Sequence, residues 1–366
     1  MCKYAVIFIG GSVENTPKVA RVYGSLVKHF NHVKLFTLSK HGHGVGDSYS
    51  YDAGANYMKF IKYLFFSFLI LFHLAKKRPT RVYAINPFAG VIALIYTFIF
   101  RKQYYYESLE IFTGSSSSLY SNKWFRPLFY RIERTIACRA RYFITPDQYR
   151  MRFLRRYYRI PAEKCFFLYN TRIFSEVLPS KTQSGYAQPI VSYCGLLMPG
   201  RGIEEIIKAF ASFEVGGTLW LVGDWGSGLY RTKLQSLVEG CGIADRVVFR
   251  GKVSNSEMLS YMQESDITFA LYKRNCVNNR LCSPNKFFDS MASGVKLITV
   301  NCYLADFLRN NGALIYTVKE VSVQEIVTAF QFCHSAVFNS GVTEILSSKF
   351  DWLSEEKKLV SLLSAD

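Results

Sequence analysis

The chain has 366 residues, 49% of them hydrophobic and 20% charged, and carries a formal net charge of +18. That length is two to three ordinary domain lengths, and the apolar content is ample for two cores, so a two-domain soluble protein is expected. Nine cysteines lie scattered without a Cys-x-x-Cys pair or a His cluster at zinc spacing, which excludes a disulfide framework and a Cys/His metal site and suits reduced cytosolic thiols.

The charge is uneven. Residues 1–175 hold 27 Lys plus Arg against 8 Asp plus Glu, and the remainder holds 18 against 19. A first half this basic implies an extended anionic partner, with a membrane surface and nucleic acid as the two candidates.

The opening run Met1 to Gly11 is too short in its apolar core for a signal peptide and reads as a first buried strand entering a Gly turn. Gly10, Gly11 and Ser12 form that turn, with Glu14 close by. From Tyr63 to Ala75 an uncharged run lies between Lys59 and Lys62 on one side and Lys76, Lys77 and Arg78 on the other. It is shorter than the roughly 20 residues a bilayer span needs, and suits a buried or interfacial helix. A longer uncharged stretch, Val82 to Phe100, is broken early by Asn86-Pro87. It is read as a strand over 81–85 and a core helix over 88–100, followed by a turn and strand over 101–106; a true membrane segment is the alternative.

Thr145-Pro146-Asp147-Gln148 opens a helix with a capping-box pattern, along which Arg152, Arg155, Arg156 and Arg159 recur at i, i+3, i+4 and i+7. With Tyr149, Tyr157 and Tyr158 interleaved, this face suits anionic lipid headgroups, a solvated surface, or RNA; no RNA-binding motif supports the last. Residues 173–188 read as a linker, so that 1–172 and 189–340 form two α/β domains, with a terminal helix over 341–366. No internal repeat is visible.

In the second half, Ile190 to Cys194 is a short strand whose exit loop, Gly195 to Gly202, contains Gly200 and Arg201. Glycines let backbone amides approach an anion, and an arginine can hold a diphosphate bidentately. Leu219 to Gly223 and Val248-Phe249-Arg250-Gly251 follow as further strand ends. The polar segment from Tyr272 to Arg280, with Asn275, Asn278 and Asn279, matches a polyhydroxyl ligand or an ordinary surface loop. Then comes Ser283-Pro284-Asn285-Lys286-Phe287-Phe288-Asp289-Ser290-Met291-Ala292-Ser293-Gly294. Ser283 is expected to cap this helix, Pro284 to take its first position and Gly294 to stop it. Lys286 and Asp289 share one face: the cation meets phosphate beside the helix N-terminus, and the carboxylate one turn on is placed for a ribose diol. The bland alternative is an ordinary amphipathic helix.

This order of elements, from about Ile190 to Leu359, resembles the nucleotide-binding half of glycosyltransferases with the GT-B fold, especially family 4. The resemblance implies an α/β GT-B architecture, two doubly wound Rossmann-like domains facing a central cleft, and a C-terminal helix that packs back on the first domain. It implies a donor site formed by Gly195, Gly200, Arg201, Tyr272, Asn279, Asn285, Lys286 and Asp289. Tyr106-Glu107-Ser108-Leu109-Glu110 resembles the family's Tyr-Asp-Ser-His-Glu segment, with Glu110 matching the Glu and Glu107 and Leu109 replacing Asp and His. Glu110 is therefore the expected base and Glu107 the reserve, while Gly10, Gly11, Ser12 and Glu14 stand on the acceptor side. Many retaining members carry Glu-x7-Glu; here those places hold Leu281 and Asp289, which leaves the stereochemical outcome open. No Asp-x-Asp occurs, arguing against a metal-bridged diphosphate, so no metal and no cofactor are expected beyond a nucleoside-diphosphate sugar, UDP-sugar favoured.

The reading as a whole is a metal-independent glycosyltransferase acting on a lipid-linked or polysaccharide glycan acceptor. It would sit peripherally at the cytoplasmic face of an anionic membrane, with nucleic acid disfavoured as a partner. A GT-B nucleotide-sugar 2-epimerase and a non-catalytic RNA- or membrane-binding protein are the alternatives.

Overall fold

The computed structural model describes residues 4–9, 16–39, 48–52, 59–114, 122, 124–177, 188–213, 216–335 and 341–364. The chain divides into two compact units, Met1–Tyr169 with Glu355–Asp366, and Asn170–Ser354.

The first unit is built on a seven-stranded sheet with strands β1 (Tyr4–Phe8), β2 (Val33–Ser39), β3 (Ser48–Asp52), β4 (Arg81–Ile85), β5 (Gln103–Glu107), β6 (Phe143–Thr145) and β7 (Cys165–Phe167). The order is β3-β2-β1-β4-β5-β6-β7, every pair parallel. The central strand β1 is apolar and buried at every residue, as a parallel sheet covered on both faces requires. Helices α1 (Pro17–His29), α2 (Lys59–Lys77), α3 (Asn86–Phe100), α4 (Arg126–Arg139) and α5 (Gln148–Tyr158) make the crossovers. The connections through α2, α3, α4 and α5 all advance the same way across the sheet, and that through α1 runs the opposite way. Right-handed crossovers therefore put those four helices on one face and α1 on the other.

Three local readings need correction. The helix expected over 88–100 starts directly at Asn86, which adopts a left-handed φ of 70° and turns the chain off β4 without a loop. Helix α5 is capped by Asp147, not through Thr145: the Asp147 carboxylate accepts from the amides of Tyr149 and Arg150 at 2.7 and 2.9 Å. Helices α2 and α3 are core helices on one side only. Phe66, Ile70 and Leu74 of α2 and Ile92, Ala93 and Tyr96 of α3 are buried, whereas Phe68, Phe72, Phe98 and Ile99 are exposed. No helix among the described residues is long and apolar enough to cross a membrane.

The second unit has a six-stranded parallel sheet of β8 (Ile190–Cys194), β9 (Thr218–Val222), β10 (Val247–Gly251), β11 (Ile267–Ala270), β12 (Lys296–Val300) and β13 (Ile315–Val318), in the order β10-β9-β8-β11-β12-β13. Its helices are α6 (Ile203–Ala211), α7 (Gly228–Gly240), α8 (Asn255–Gln263), α9 (Val277–Arg280), α10 (Asn285–Ser293), α11 (Tyr303–Asn310), α12 (Val323–Ser335) and α13 (Gly341–Phe350). Leu197, Ile206, Phe210, Leu221, Phe269, Ile298 and Phe330 fill the core under α6 and α12.

One terminal helix was expected over 341–366, and two form. The chain breaks at Asp351, whose Oδ1 accepts from the amide of Leu353 at 2.7 Å and whose Oδ2 accepts from the amide of Phe174 at 2.8 Å. The last helix, α14 (Trp352–Ser364), carries Glu356 against α1, where its carboxylate accepts from Ser25, Lys28 and His29, each at 2.8 Å. At its end the Leu363 carbonyl accepts from Tyr4 at 3.0 Å and from Arg81 at 2.6 Å.

Candidate active site

The sheet order of the second unit reverses between β8 and β11, and crevices of open α/β sheets form at the carboxyl ends of the strands at such a point. The exit loop of β8, the segment after β11 and the start of α10 all lie at that end. Gly195, with φ 142°, lets the loop pass close to Lys286: a Cβ there would stand 3.0 Å from the Lys286 Nζ. Gly223 ends β9 at φ 145°, and a Cβ there would fall 1.9 Å from the Gly195 carbonyl oxygen. Backbone contact thus admits only glycine at Gly223, while at Gly195 it is the positive φ that favours glycine. Gly200 also has a positive φ, of 84°, and faces open space.

Lys286 stands in the first turn of α10 with its ammonium 3.9 Å from the centre of the Tyr193 ring. It makes no ion pair or hydrogen bond with the described residues. Burial pushes its pKa down from an ordinary 10.5 to about 7, with Arg201 pushing the same way and Cys194 and Asp289 opposing. Arg201 is held the same way, its guanidinium carbon 4.8 Å from the centre of the Tyr272 ring. Two cations thus rest on two aromatic faces, which position a charge without neutralising it.

Helix α10 begins one residue later than expected. Pro284, extended at ψ 146°, occupies the cap position, and Ser283, standing before it, does not cap. The Ser283 hydroxyl and the Asn285 Oδ1 are buried with no hydrogen-bond partner among the described residues. A helix N-terminus, two cations without ion pairs and the Ser283 hydroxyl can each favour an anion, whereas the Asn285 Oδ1 is an acceptor and calls for a donor. Further along, the Asp289 Oδ1 accepts from Arg172 Nε at 2.7 Å, both side chains being 16% exposed. Tyr193 and Arg172 had not been singled out in the sequence. Tyr193 could have been, since it lies two residues before the Gly195 turn. Arg172 is 117 residues from its partner, and no local pattern marks it.

Asn279 is occupied with its own segment, its Nδ2 donating to the Lys273 carbonyl at 2.8 Å and to Asn275 Oδ1 at 3.2 Å. Among the described residues no three His, Cys, Asp or Glu side chains are grouped to hold a metal.

In the first unit, Gly10, Gly11, Ser12 and Glu14 lie outside the described residues. Glu110 is exposed just beyond β5, on a turn tied down by Ser108 Oγ donating to the Glu110 carbonyl at 2.9 Å and by the Leu109 amide donating to Asn86 Oδ1 at 3.1 Å. Glu107 is fully buried. It pairs with Lys18 at 3.4 Å and accepts from the Tyr83 hydroxyl at 2.7 Å. Lys18 also donates to the Leu168 and Tyr169 carbonyls at 2.9 and 3.1 Å, so Glu107 belongs to an internal clasp and not to a solvent-facing edge. On α5, Arg152, Arg156 and Arg159 are exposed and Arg155 is half-buried.

Two parallel α/β units with this order of elements define a GT-B fold, and the chain matches solved GT-B structures over its full length. HepE of Anabaena, in complex with UDP, aligns over 100% of both chains with a TM-score of 0.76 at 16% identity. Sucrose-phosphate synthase of Thermosynechococcus elongatus aligns over 99% of this chain and 98% of its own, with a TM-score of 0.78 at 15% identity. WaaG, a glycosyltransferase involved in lipopolysaccharide biosynthesis, aligns over 99% of this chain and 100% of its own, with a TM-score of 0.69 at 14% identity. A search of curated proteins finds no match. Residues 188–333 match the family model of glycosyl transferases group 1. The chain has the GT-B fold, and the part of it that matches the group 1 glycosyl transferase model lies in the second unit.

Proposed function

We propose that the chain transfers a sugar from a nucleoside-diphosphate donor, UDP-sugar favoured, to a glycan or lipid-linked glycan acceptor at the cytoplasmic face of an anionic membrane. One observation carries the donor reading: a half-buried lysine without a counter-ion, beside a second cation on a glycine turn. Burying an ammonium is tolerable only when something repays its desolvation, and a diphosphate is a ligand of matching charge. That HepE is solved with UDP and with UDP-glucose supports the choice of base.

In the proposed reaction the bond from the anomeric carbon to the diphosphate oxygen breaks while the acceptor hydroxyl oxygen bonds to that carbon. Charge develops on the departing diphosphate, and Lys286 and Arg201 stabilise it there. The amides of the Gly195–Gly202 turn and the start of α10 add fixed dipoles. Asp289, held by Arg172, is assigned to the ribose hydroxyls, and Asn285 and Tyr272 to the same donor. The acceptor proton is assigned to Glu110, the exposed carboxylate at the end of β5; Glu107 anchors the strand beneath it.

The test is a thermal-shift panel of UDP, GDP, dTDP and CMP compounds on the wild type, Lys286→Ala and Arg201→Ala. One nucleotide should stabilise the wild type, by about 2.7 kcal/mol at a hundred times its dissociation constant. Both variants should lose roughly 10²-fold in donor use. Full turnover by both folded variants would place the diphosphate elsewhere.

A further inference from the structure

We propose that the outward face of the four-helix layer α2 to α5 docks on an anionic lipid bilayer, with aromatic residues of α2 and α3 entering the interface and arginines of α4 and α5 meeting the headgroups. It deepens the membrane part of the proposed function, which had rested on the basic first half, the apolar run from Tyr63 to Ala75 and the α5 arginines, and it depends on that reading.

The four helices lie side by side on one face of the sheet, α2 against α3, α3 against α4 and α4 against α5. Each buries one side and presents the other to solvent. On α2, Phe68 and Phe72 stand one turn apart and are 65% and 57% exposed; on α3, Phe98 and Ile99 are 75% and 62% exposed. Trp124 and Phe125, just before α4, are 89% and 52% exposed. Single exposed apolar residues are ordinary, but large ones recurring on adjacent helices of one layer are not.

The charge on this face says what covers it. Arg126, Arg131, Arg134 and Arg139 of α4 and Arg152 and Arg156 of α5 are exposed, and Lys76 and Lys77 end α2. The only carboxylate within the four helices is Glu133, which is buried at 2% exposure and accepts from Tyr106, Ser108 and Tyr158 at 3.0, 3.0 and 2.7 Å. The layer therefore offers no exposed carboxylate to a partner. A protein interface depletes charge at its core. Aromatic side chains next to a one-signed basic zone match a bilayer surface, where rings settle at headgroup depth and each cation gains from anionic lipid.

The full-length protein is tested by flotation with phosphatidylcholine vesicles, with and without phosphatidylglycerol, at low and high salt. Binding should require phosphatidylglycerol. Arg131→Gln with Arg152→Gln and Arg156→Gln should weaken it roughly 10²-fold at low salt, since each cation contributes about one power of ten or slightly less. Phe68→Ser with Phe98→Ser should weaken it at least about tenfold and, unlike the arginine variant, should do so at high salt as well. The proposal is overturned if the wild type ignores phosphatidylglycerol vesicles, or if the phenylalanine variant binds them as the wild type does. It is also overturned if sedimentation shows a dimer that the phenylalanine variant abolishes, which would assign the face to a second copy. The nucleotide thermal shift, read on the same samples, separates the two ideas: a retained shift without vesicle binding sinks only this proposal, and a missing shift sinks the donor reading.

Discussion

Replacing Lys286 with methionine keeps the aliphatic stem and removes the ammonium, so it isolates what that half-buried charge does. The folded-state pKa of about 7 lies below the ordinary 10.5, the reverse of the usual case for a paired lysine. Below pH 7 the lysine is protonated both folded and unfolded, and the folded state carries the whole penalty. At 1.36 kcal/mol per pKa unit that penalty is on the order of 4–5 kcal/mol. Between pH 7 and 10.5 the unfolded chain binds the proton and the folded chain does not, so this residue makes stability rise with pH across that window. Lys286→Met should therefore be more stable than the wild type without ligand, by a few kcal/mol at pH 6 and by clearly less at pH 9. Urea unfolding of both proteins at both pH values measures this. The same variant should lose the stabilisation by UDP. A bound diphosphate raises the lysine's pKa, so UDP binding at pH 8 should take up a proton in the wild type, seen calorimetrically in buffers of different ionisation enthalpy. A variant less stable at both pH values that still responds to UDP would refute the reasoning, because Lys286 would then be a packed structural residue.

Asp289→Asn should weaken UDP about tenfold, the loss of a charge-assisted hydrogen bond, while leaving a dideoxyribose UDP analogue unaffected; equal losses for both would remove Asp289 from the ribose. In the first unit, the hydrogen bonds from Lys28, His29 and Ser25 outweigh the burial of Glu356 and take its carboxyl from an ordinary 4.5 down to about 2. Its contribution is present above pH 4.5 and is lost as pH falls towards 2, so Glu356→Gln should lower stability by about 1.5–3 kcal/mol at neutral pH and flatten the acid limb of the stability curve. Glu110→Gln should keep the UDP thermal shift but lower turnover by about 10²-fold to 10⁴-fold, and near-normal turnover would take the base role from it.

What the sequence made legible follows the reach of each interaction. Strand and helix alternation was visible because its causes are local: the apolar runs of β8 and β9, the Asn86-Pro87 break, and the stop at Gly294, where a left-handed φ of 67° was needed. The pairing of Gly195 with Lys286 was approachable too, since a glycine turn and a lysine at a helix start are each recognisable types. Exposure was the first thing lost. A helix as apolar as α3 looks buried all round, and only the three-dimensional arrangement shows that Ala89 and Ala93 meet the core while Phe98 does not. Large side chains fall on both sides, Ile92 and Tyr96 inward and Phe98 and Ile99 outward, so size and hydropathy do not tell the faces apart.

The carboxylates show the same limit from the other side. Glu107 and Glu110 are three residues apart, and the sequence ranked them only by resemblance, Glu110 as the expected base and Glu107 as the reserve. Their difference comes from Lys18, which reaches Glu107 from another helix, and from Tyr83 on the neighbouring strand. A carboxylate paired in this way where solvent does not reach can brace a loop but has no route to an incoming hydroxyl proton. Lys286 is the complementary case: a cation that the fold half-buries and leaves without its pair. The chain contains enough carboxylates to have neutralised it, and Asp289 lies only one turn away, yet that carboxylate is drawn to Arg172 instead. Under the proposed function the missing anion arrives with the substrate, and the unpaired ammonium is the feature of this site that points to such a ligand.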